Sequence, residues 1–80
     1  SEAMRERQVQ LIERAIPAEV LTRHGLTADS LIVLLAGMGR VLIMEKNYGV
    51  CSGHDAARHW VERLLAQCAN DAACMTQSLA

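Results

Sequence analysis

The sequence predicts an all-α fold, a small bundle of about four helices around a central apolar helix, and it predicts a dimer of such bundles. Three observations lead to this prediction. In the segments on either side of the centre, apolar residues recur every three or four positions, as on one face of an α-helix. Proline and glycine stand between these segments, where helices commonly end. The central stretch Leu31–Met44 is apolar apart from Arg40, so other segments must pack against it or leave it for a partner.

The length and composition favour one domain that depends on a partner. Eighty residues predict a single domain spanning 1–80. A domain of this size buries only about 60% of the surface of its unfolded chain and often needs a partner subunit. The composition is 51% hydrophobic, and Tyr48 and Trp60 are its two aromatic residues, so the core is expected to be aliphatic. This apolar excess favours a twofold homodimer.

The charge and the cysteine content narrow the class of protein. The net charge is −1, from eight basic and nine acidic residues, which gives no basic surface for direct nucleic-acid or membrane binding. The N-terminal segment lacks the basic tip and apolar run of a signal peptide. Three cysteines form an odd number, whereas secreted small domains carry even sets. We therefore expect a cytoplasmic protein whose thiols, Cys51, Cys68 and Cys74, are reduced and mostly buried.

The first predicted helix spans residues 3–16. It carries two neighbouring apolar rows, Met4, Gln8, Leu11 and Ala15 in one and Val9, Ile12 and Ile16 in the other. Charges of both signs outside these rows are typical of a solvated face. Pro17 ends the helix, because the residue before a proline is pushed out of the helical region.

A short second helix is predicted at 17–24, with Pro17 in its first position and His24 and Gly25 at its end. With the helix that follows, it has the spacing of a helix-turn-helix. A recognition helix presents polar and basic side chains to DNA, whereas this one would present the apolar run Leu31–Leu35. A small helix-turn-helix DNA-binding regulator is therefore an alternative and not the preferred interpretation.

Two structures compete for the third element, residues 28–46. Thr27 as the cap and Asp29 in the first turn favour a helix. A β-hairpin turning at Gly37–Arg40 is the rival, because Ile and Val favour strands and each glycine costs a helix roughly 1 kcal/mol. The capping signal and the helical flanks favour the helix. The run is too short for a membrane span and contains a charge.

If this element is a helix, it is apolar nearly all round. One face carries Leu31, Leu34, Leu35, Met38, Val41, Leu42 and Glu45, and another carries Val33, Ala36, Gly37, Arg40 and Met44. The second face has low relief at Ala36 and Gly37, so another backbone can approach it closely. Arg40 at its edge could pair with a carboxylate across an interface. This face is either ordinary core packing or a dimer contact.

The fourth predicted helix spans 53–69. Asn47 and Gly49 end the preceding helix, and Ser52 with Asp55 forms a start of the capping-box type. Its apolar stripe consists of Ala57, Trp60, Val61, Leu64, Leu65 and Cys68. Trp60 is either the largest core residue or an anchor at a protein interface, where tryptophan is enriched. Asn70-Asp71 is expected to break or fray the helix and leave a C-terminal tail at 70–80, in which Ala72–Ala80 could form one or two further turns.

One group of ligand-type residues stands out, Cys51, His54, Asp55 and His59. A zinc site needs four ligands, or three plus water, and strong zinc signatures have two paired ligand motifs, whereas this chain has one such pair. A Cys51–His54 nucleophile and base would also need an orienting group and an oxyanion hole. The sequence therefore predicts no enzyme, no bound metal and no cofactor.

In size, helical layout and apolar surplus, residues 3–69 resemble the small bacterial antiactivators of quorum sensing of the QslA type. The resemblance implies a dimer that binds a LuxR-type transcription factor, blocks its dimerisation and keeps it off DNA, without a cofactor.

We therefore expect a protein-binding regulator that masks a partner protein. Helical periodicity places the partner or dimer interface at Ala36, Gly37, Arg40, Met44, Trp60, Val61 and Leu64. A structural or adaptor dimer is the other alternative.

Overall fold

The computed structural model describes residues 1–79, and their side chains as far as residue 77. The described residues form four helices and no strand, which confirms the all-α prediction. The helices are α1 (Glu2–Ala15), α2 (Ala18–Arg23), α3 (Ala28–Asn47) and α4 (His54–Leu79).

Local chemistry starts these helices where the sequence predicts. The Ser1 hydroxyl accepts a hydrogen bond from the Met4 N–H at 3.3 Å and caps α1. Thr27 and Ser30 cap α3 reciprocally, since each side chain accepts from the other's backbone N–H, at 3.0 and 2.8 Å. Such a capping box satisfies two N–H groups that the helix leaves unpaired. It fixes the start of α3 independently of tertiary packing.

The ends of α2 and α3 share one geometry, the Schellman motif. Gly25 and Gly49 follow the caps with φ of 72° and 78°, a conformation that costs glycine little. The next N–H then reaches back five residues, from Leu26 to the Leu21 carbonyl and from Val50 to the Glu45 carbonyl, at 2.9 Å in both cases. The glycine stops predicted from the sequence are confirmed at both positions.

The apolar stretch 31–44 is helix throughout, as part of α3, so the hairpin alternative is wrong. Gly37 and Gly39 lie inside this helix with ordinary negative φ. Two interior glycines cost the helix roughly 2 kcal/mol. The capping box and the apolar contacts of Leu31 and Leu35 with the core outweigh this cost.

The predicted C-terminal tail at 70–80 is also wrong over the residues described. Helix α4 continues through Asn70 and Asp71 as far as Leu79, and Ala80 lies outside the described residues. Asp71 is held by a 2.7 Å hydrogen bond to the His24 imidazole at the end of α2. Ala72 and Met75 pack against the core beyond it. These tertiary contacts outweigh the weak helix propensity of Asn and Asp.

The core is small and lies at one end of the molecule. The buried side chains among residues 1–77 are Ile16, Val20, Leu21, Ala28, Leu31, Ile32 and Cys68. They come from the α1–α2 junction, α2, the first turn and a half of α3, and one position of α4. The central helix is therefore buried only at its N-terminal end, and the chain leaves the rest of the stretch 31–44 partly or largely exposed.

Helix α1 uses the second of its two predicted apolar rows. Val9, Ile12 and Ile16 pack on the core, while Met4 and Leu11 of the other row face solvent. The Arg5 guanidinium lies 3.1 Å from the Asp29 carboxylate of α3, so α1 is joined to α3 through the side that carries this arginine.

The molecule is an elongated slab. Its principal extents are 50 × 30 × 16 Å and its radius of gyration is 14.7 Å, whereas a compact 80-residue domain has about 12 Å. The shortest dimension is about a third of the longest, so the helices lie in a flat, extended arrangement.

The expectation of mostly buried thiols holds for Cys68 alone, because Cys51 and Cys74 are exposed. Burial, and secondarily the negative charge of Asp71, raises the pKa of the Cys68 thiol, which reduces its reactive thiolate fraction. We expect iodoacetamide at pH 8 to modify Cys68 at least about 100-fold more slowly than Cys51, because reaction must wait for an opening of the core. Peptide mass spectrometry over a time course measures both rates. Equal rates would contradict the packing described for Cys68.

Candidate partner-binding surface

No side chain is fully buried between residues 33 and 67, a segment that the structure describes in full. We call this segment the arm. It consists of the C-terminal part of α3, the turn at 48–53 and the N-terminal part of α4. A 2.9 Å hydrogen bond between His54 and Glu45 ties its two helices together at the turn. The arm is thus a helical hairpin held at its tip and rooted in the core, and it has no buried core of its own.

An apolar groove runs between the two helices of the arm. Its lining is Leu31, Leu34, Leu35, Met38, Ala57, Trp60, Val61 and Leu64, and it encloses about 330 Å³. None of these side chains carries a charge or a hydroxyl. The walls rise over eight residues on each helix, which is about two helical turns, or roughly 10–12 Å.

Trp60 forms one wall of this groove and leaves 57% of its surface exposed. The interpretation of Trp60 as the largest core residue is therefore wrong. The core lies further along the helix, at Cys68, and Leu64 and Leu65 fill the space next to it. A tryptophan that the fold leaves open beside a groove is the residue type most enriched among interface hot spots.

The apolar surface continues from the groove onto the outer side of α3. Val33, Val41 and Met44 are exposed there, and with Gly37 they recur at helical spacing on one side of the helix. Leu34 belongs to both regions, because it lines the groove and is 48% exposed. We call the groove together with Val33, Gly37, Val41 and Met44 the open face.

Gly37 has no explanation within the chain. Its φ is not positive, and a Cβ built on it would meet nothing within 4 Å. Alanine there would stabilise the helix by roughly 1 kcal/mol. Neither the backbone conformation nor the packing among the described residues therefore requires glycine at position 37. The missing side chain leaves a flat place on the open face.

The seven predicted interface residues separate into four groups. Trp60, Val61 and Leu64 line the groove, and Gly37 and Met44 lie on the outer part of the open face. Arg40 borders the open face, in a shallow depression with Met44 and in a polar cleft with α1. Ala36 is half-buried and does not line the groove.

The predicted interface leaves out five groove residues, Leu31, Leu34, Leu35, Met38 and Ala57. Four of them share one apolar face of α3, whereas the predicted interface uses the other face. A helix that is apolar nearly all round gives no signal of which side its neighbours leave open. Ala57 was assigned to the stripe of α4, and that stripe is shared between the core and the groove.

The ligand-type residues near the turn do not gather into a metal site. The His54 imidazole bonds to Glu45, Asp55 pairs with Arg58, and Cys51 and His59 are exposed. Over the described part of the chain, no three His, Cys, Asp or Glu side chains are grouped so that they could hold a metal ion. These residues instead fix the tip of the arm.

No protein-family profile, no curated protein and no solved structure matches this chain. Within residues 1–79, no helix combines the length and the apolar content that crossing a membrane requires. The arguments for function therefore come from the open face itself.

Proposed function

We propose that this protein is a binding regulator that takes an apolar helix of another protein into the groove and thereby masks it. The observation that carries the proposal is the open, uncharged groove between α3 and α4, with Trp60 exposed in its wall. Laying the apolar side of an amphipathic helix into a hydrophobic groove is a recurring mode of peptide recognition. A lining without a titratable side chain supplies burial and does not supply acid–base or nucleophilic chemistry.

The groove defines the chemistry of the partner. Its length suits about two turns of helix, so the partner presents apolar side chains at positions i, i+3 or i+4, and i+7. Arg40 at the border makes no ion pair with any described residue. A carboxylate at the edge of the partner's helix would pair with it and orient the helix.

Masking follows from the kind of helix that fits. A helix with one exposed apolar side is a dimerisation element in many transcription factors, and its capture by the groove removes it from the factor's own dimer. The resemblance to quorum-sensing antiactivators supports a LuxR-type factor as the partner. In this proposal the regulator acts in the cytoplasm without a cofactor and keeps the factor off DNA by preventing its dimerisation.

Trp60→Ala tests the proposal, with His59→Ala as the matched control. His59 is the adjacent exposed residue and does not line the groove. Each variant is used as bait in a pull-down from cell lysate, and retained proteins are identified by mass spectrometry. We expect a transcription factor to be retained by the wild type and by His59→Ala, and to be reduced at least about tenfold with Trp60→Ala, as for a hot-spot residue.

The retained factor is then purified and tested on its own DNA site. Added wild-type protein should release the factor from DNA, whereas Trp60→Ala should not. A factor captured equally by Trp60→Ala, or nucleic acid that co-purifies in place of protein, would overturn the proposal.

A further inference from the structure

We infer that a second copy of this chain covers the open face when no partner is bound, so that the arms of two copies form a four-helix bundle. Capture of a partner then requires exchange of this copy for the partner's helix. The exchange rests on the proposed function, whereas the pairing of two copies does not.

The exposed area is the first argument for a second copy. A folded monomer of 8.8 kDa exposes about 4,800 Å², and this chain exposes 6010 Å². The excess is about 1,200 Å², which is more than the roughly 800 Å² that a standard stable interface buries on each partner. The chain therefore exposes enough surplus area to form a full interface with one further copy.

The architecture of the arm is the second argument. The arm is one antiparallel helix pair joined by a short turn, and it contains no fully buried side chain. Two such pairs packed face to face make an up-and-down four-helix bundle, in which the apolar sides of all four helices share one core. Pairing also converts a slab 16 Å thick into two packed layers, the usual arrangement of a stable domain.

The position of Gly37 is the third argument. Gly37 and Gly39 both have space for a Cβ and a backbone that does not need glycine, but only Gly37 lies on the open face. The distance between packed helices depends on the size of the side chains at their contact. A twofold axis near Gly37 would bring α3 of each copy close to the flat place on the other, since a twofold interface uses the same patch on both copies.

The chemistry of the surface favours a copy over a charged occupant. The residues of the open face are apolar, and the charged Arg40 stands at the border. A large apolar patch on a soluble protein is usually an interaction surface. The occupant available to it at all times is another copy of the chain, which offers an equally apolar face.

Gly37→Glu and Gly39→Glu form a matched pair of variants for the test. Both replace a glycine inside α3 by a good helix former, and a Cβ at either position would meet nothing within 4 Å. Both therefore preserve the fold of the single chain. Position 37 lies on the open face, whereas position 39, two residues on, points to another side of the helix.

Sedimentation equilibrium across about 1–100 µM measures the association of the whole chain. We expect the wild type and Gly39→Glu to be dimers of twice 8.8 kDa. Gly37→Glu should dissociate at least about 100-fold more easily, because pairing would bury its carboxylate in an apolar interface. A wild type that is monomeric at the highest concentration overturns the inference, as does equal disruption by both variants.

The exchange has its own readout, the stoichiometry of the complex with the captured factor. We expect one copy of this chain for each copy of the factor, and loss of the homodimer peak as the factor is added. A complex that keeps two copies of this chain on one open face overturns the exchange. A monomeric wild type that still captures the factor through Trp60 would overturn the self-pairing and leave the proposed function standing, so the two failures are distinguishable.

Discussion

Replacing Leu31 by alanine is expected to lower the free energy of unfolding by about 3 kcal/mol, whereas the same replacement at Leu34 should lower it by less than about 1 kcal/mol. Both leucines lie in α3 and have the same helix propensity, so the comparison isolates burial. Leu31 is 2% exposed within the core cluster, and Leu34 is 48% exposed on the open face. Truncating Leu31 removes apolar contacts and leaves a cavity, whereas truncating Leu34 leaves none.

Urea denaturation followed by circular dichroism measures both changes. The two substitutions are made in the Gly37→Glu background, because self-association would otherwise contribute to the stability of the reference protein. Similar losses at the two positions would show that the open face is packed within the single chain, which would contradict the groove. Because the core contains only seven buried residues among those described, the fold has little stability to lose. Leu31→Ala should therefore also broaden or abolish the unfolding transition.

The uneven distribution of buried side chains connects stability with function. The core end fixes α1, α2 and the start of α3, and it supports α4 through Cys68 and the His24–Asp71 hydrogen bond. The arm projects from the core end, and its apolar surface remains exposed. A chain that buries its apolar side chains within itself exposes little apolar surface to a partner's helix. This chain instead leaves one side of its helical hairpin uncovered.

The start and the end of each helix could be read from the sequence where the signal is local. Thr27, Gly25 and Gly49 act through hydrogen bonds to residues within six positions, so a short window of sequence contains the whole cause. A local signal also decided between helix and hairpin for residues 31–44, because the cap at Thr27 favours only the helix.

The side of each helix that faces the core could not be read in the same way. Both rows of α1 are apolar, and α3 is apolar on nearly every side, so burial is decided by which neighbours reach them. The row of α3 that carries Leu31, Leu34, Leu35 and Met38 contains both the buried Leu31 and the exposed Leu34. For the same reason the sequence left Trp60 open between a core residue and an interface anchor, because a stripe shows that a residue faces a neighbour and does not show how far that neighbour extends.

The end of α4 illustrates a tertiary cause that local propensity hides. Asn70-Asp71 is a weak helix former in isolation. Asp71 nevertheless reaches the imidazole of His24, a residue 47 positions earlier in the chain, and Ala72 and Met75 follow on the core side. No short window of sequence contains both partners of this hydrogen bond, so the sequence predicted a tail where the structure has a helix.

Asn70→Pro distinguishes the continuous helix from the predicted tail. In the interior of a helix, proline removes one backbone hydrogen bond and clashes with the carbonyl four residues earlier, which costs about 3 kcal/mol or more. Asn70 lies well inside α4, and its side chain is exposed, so the expected loss comes from the backbone alone. In a tail beyond residue 69, the same change would cost almost nothing.

Asn70→Ala is the control, because it removes the same side chain and keeps the backbone hydrogen bond. We expect it to be neutral or to stabilise the chain by up to about 0.5 kcal/mol through helix propensity. Urea denaturation and the helical signal at 222 nm measure both variants. A kink at position 70 would displace Asp71 from His24 and Met75 from the core. If proline lowers the free energy of unfolding strongly and alanine does not, the last third of α4 contributes to the stability of the core. Equal, small effects of the two variants would instead assign residues 70–79 to a frayed end, and the core would then have to be stable without Ala72 and Met75.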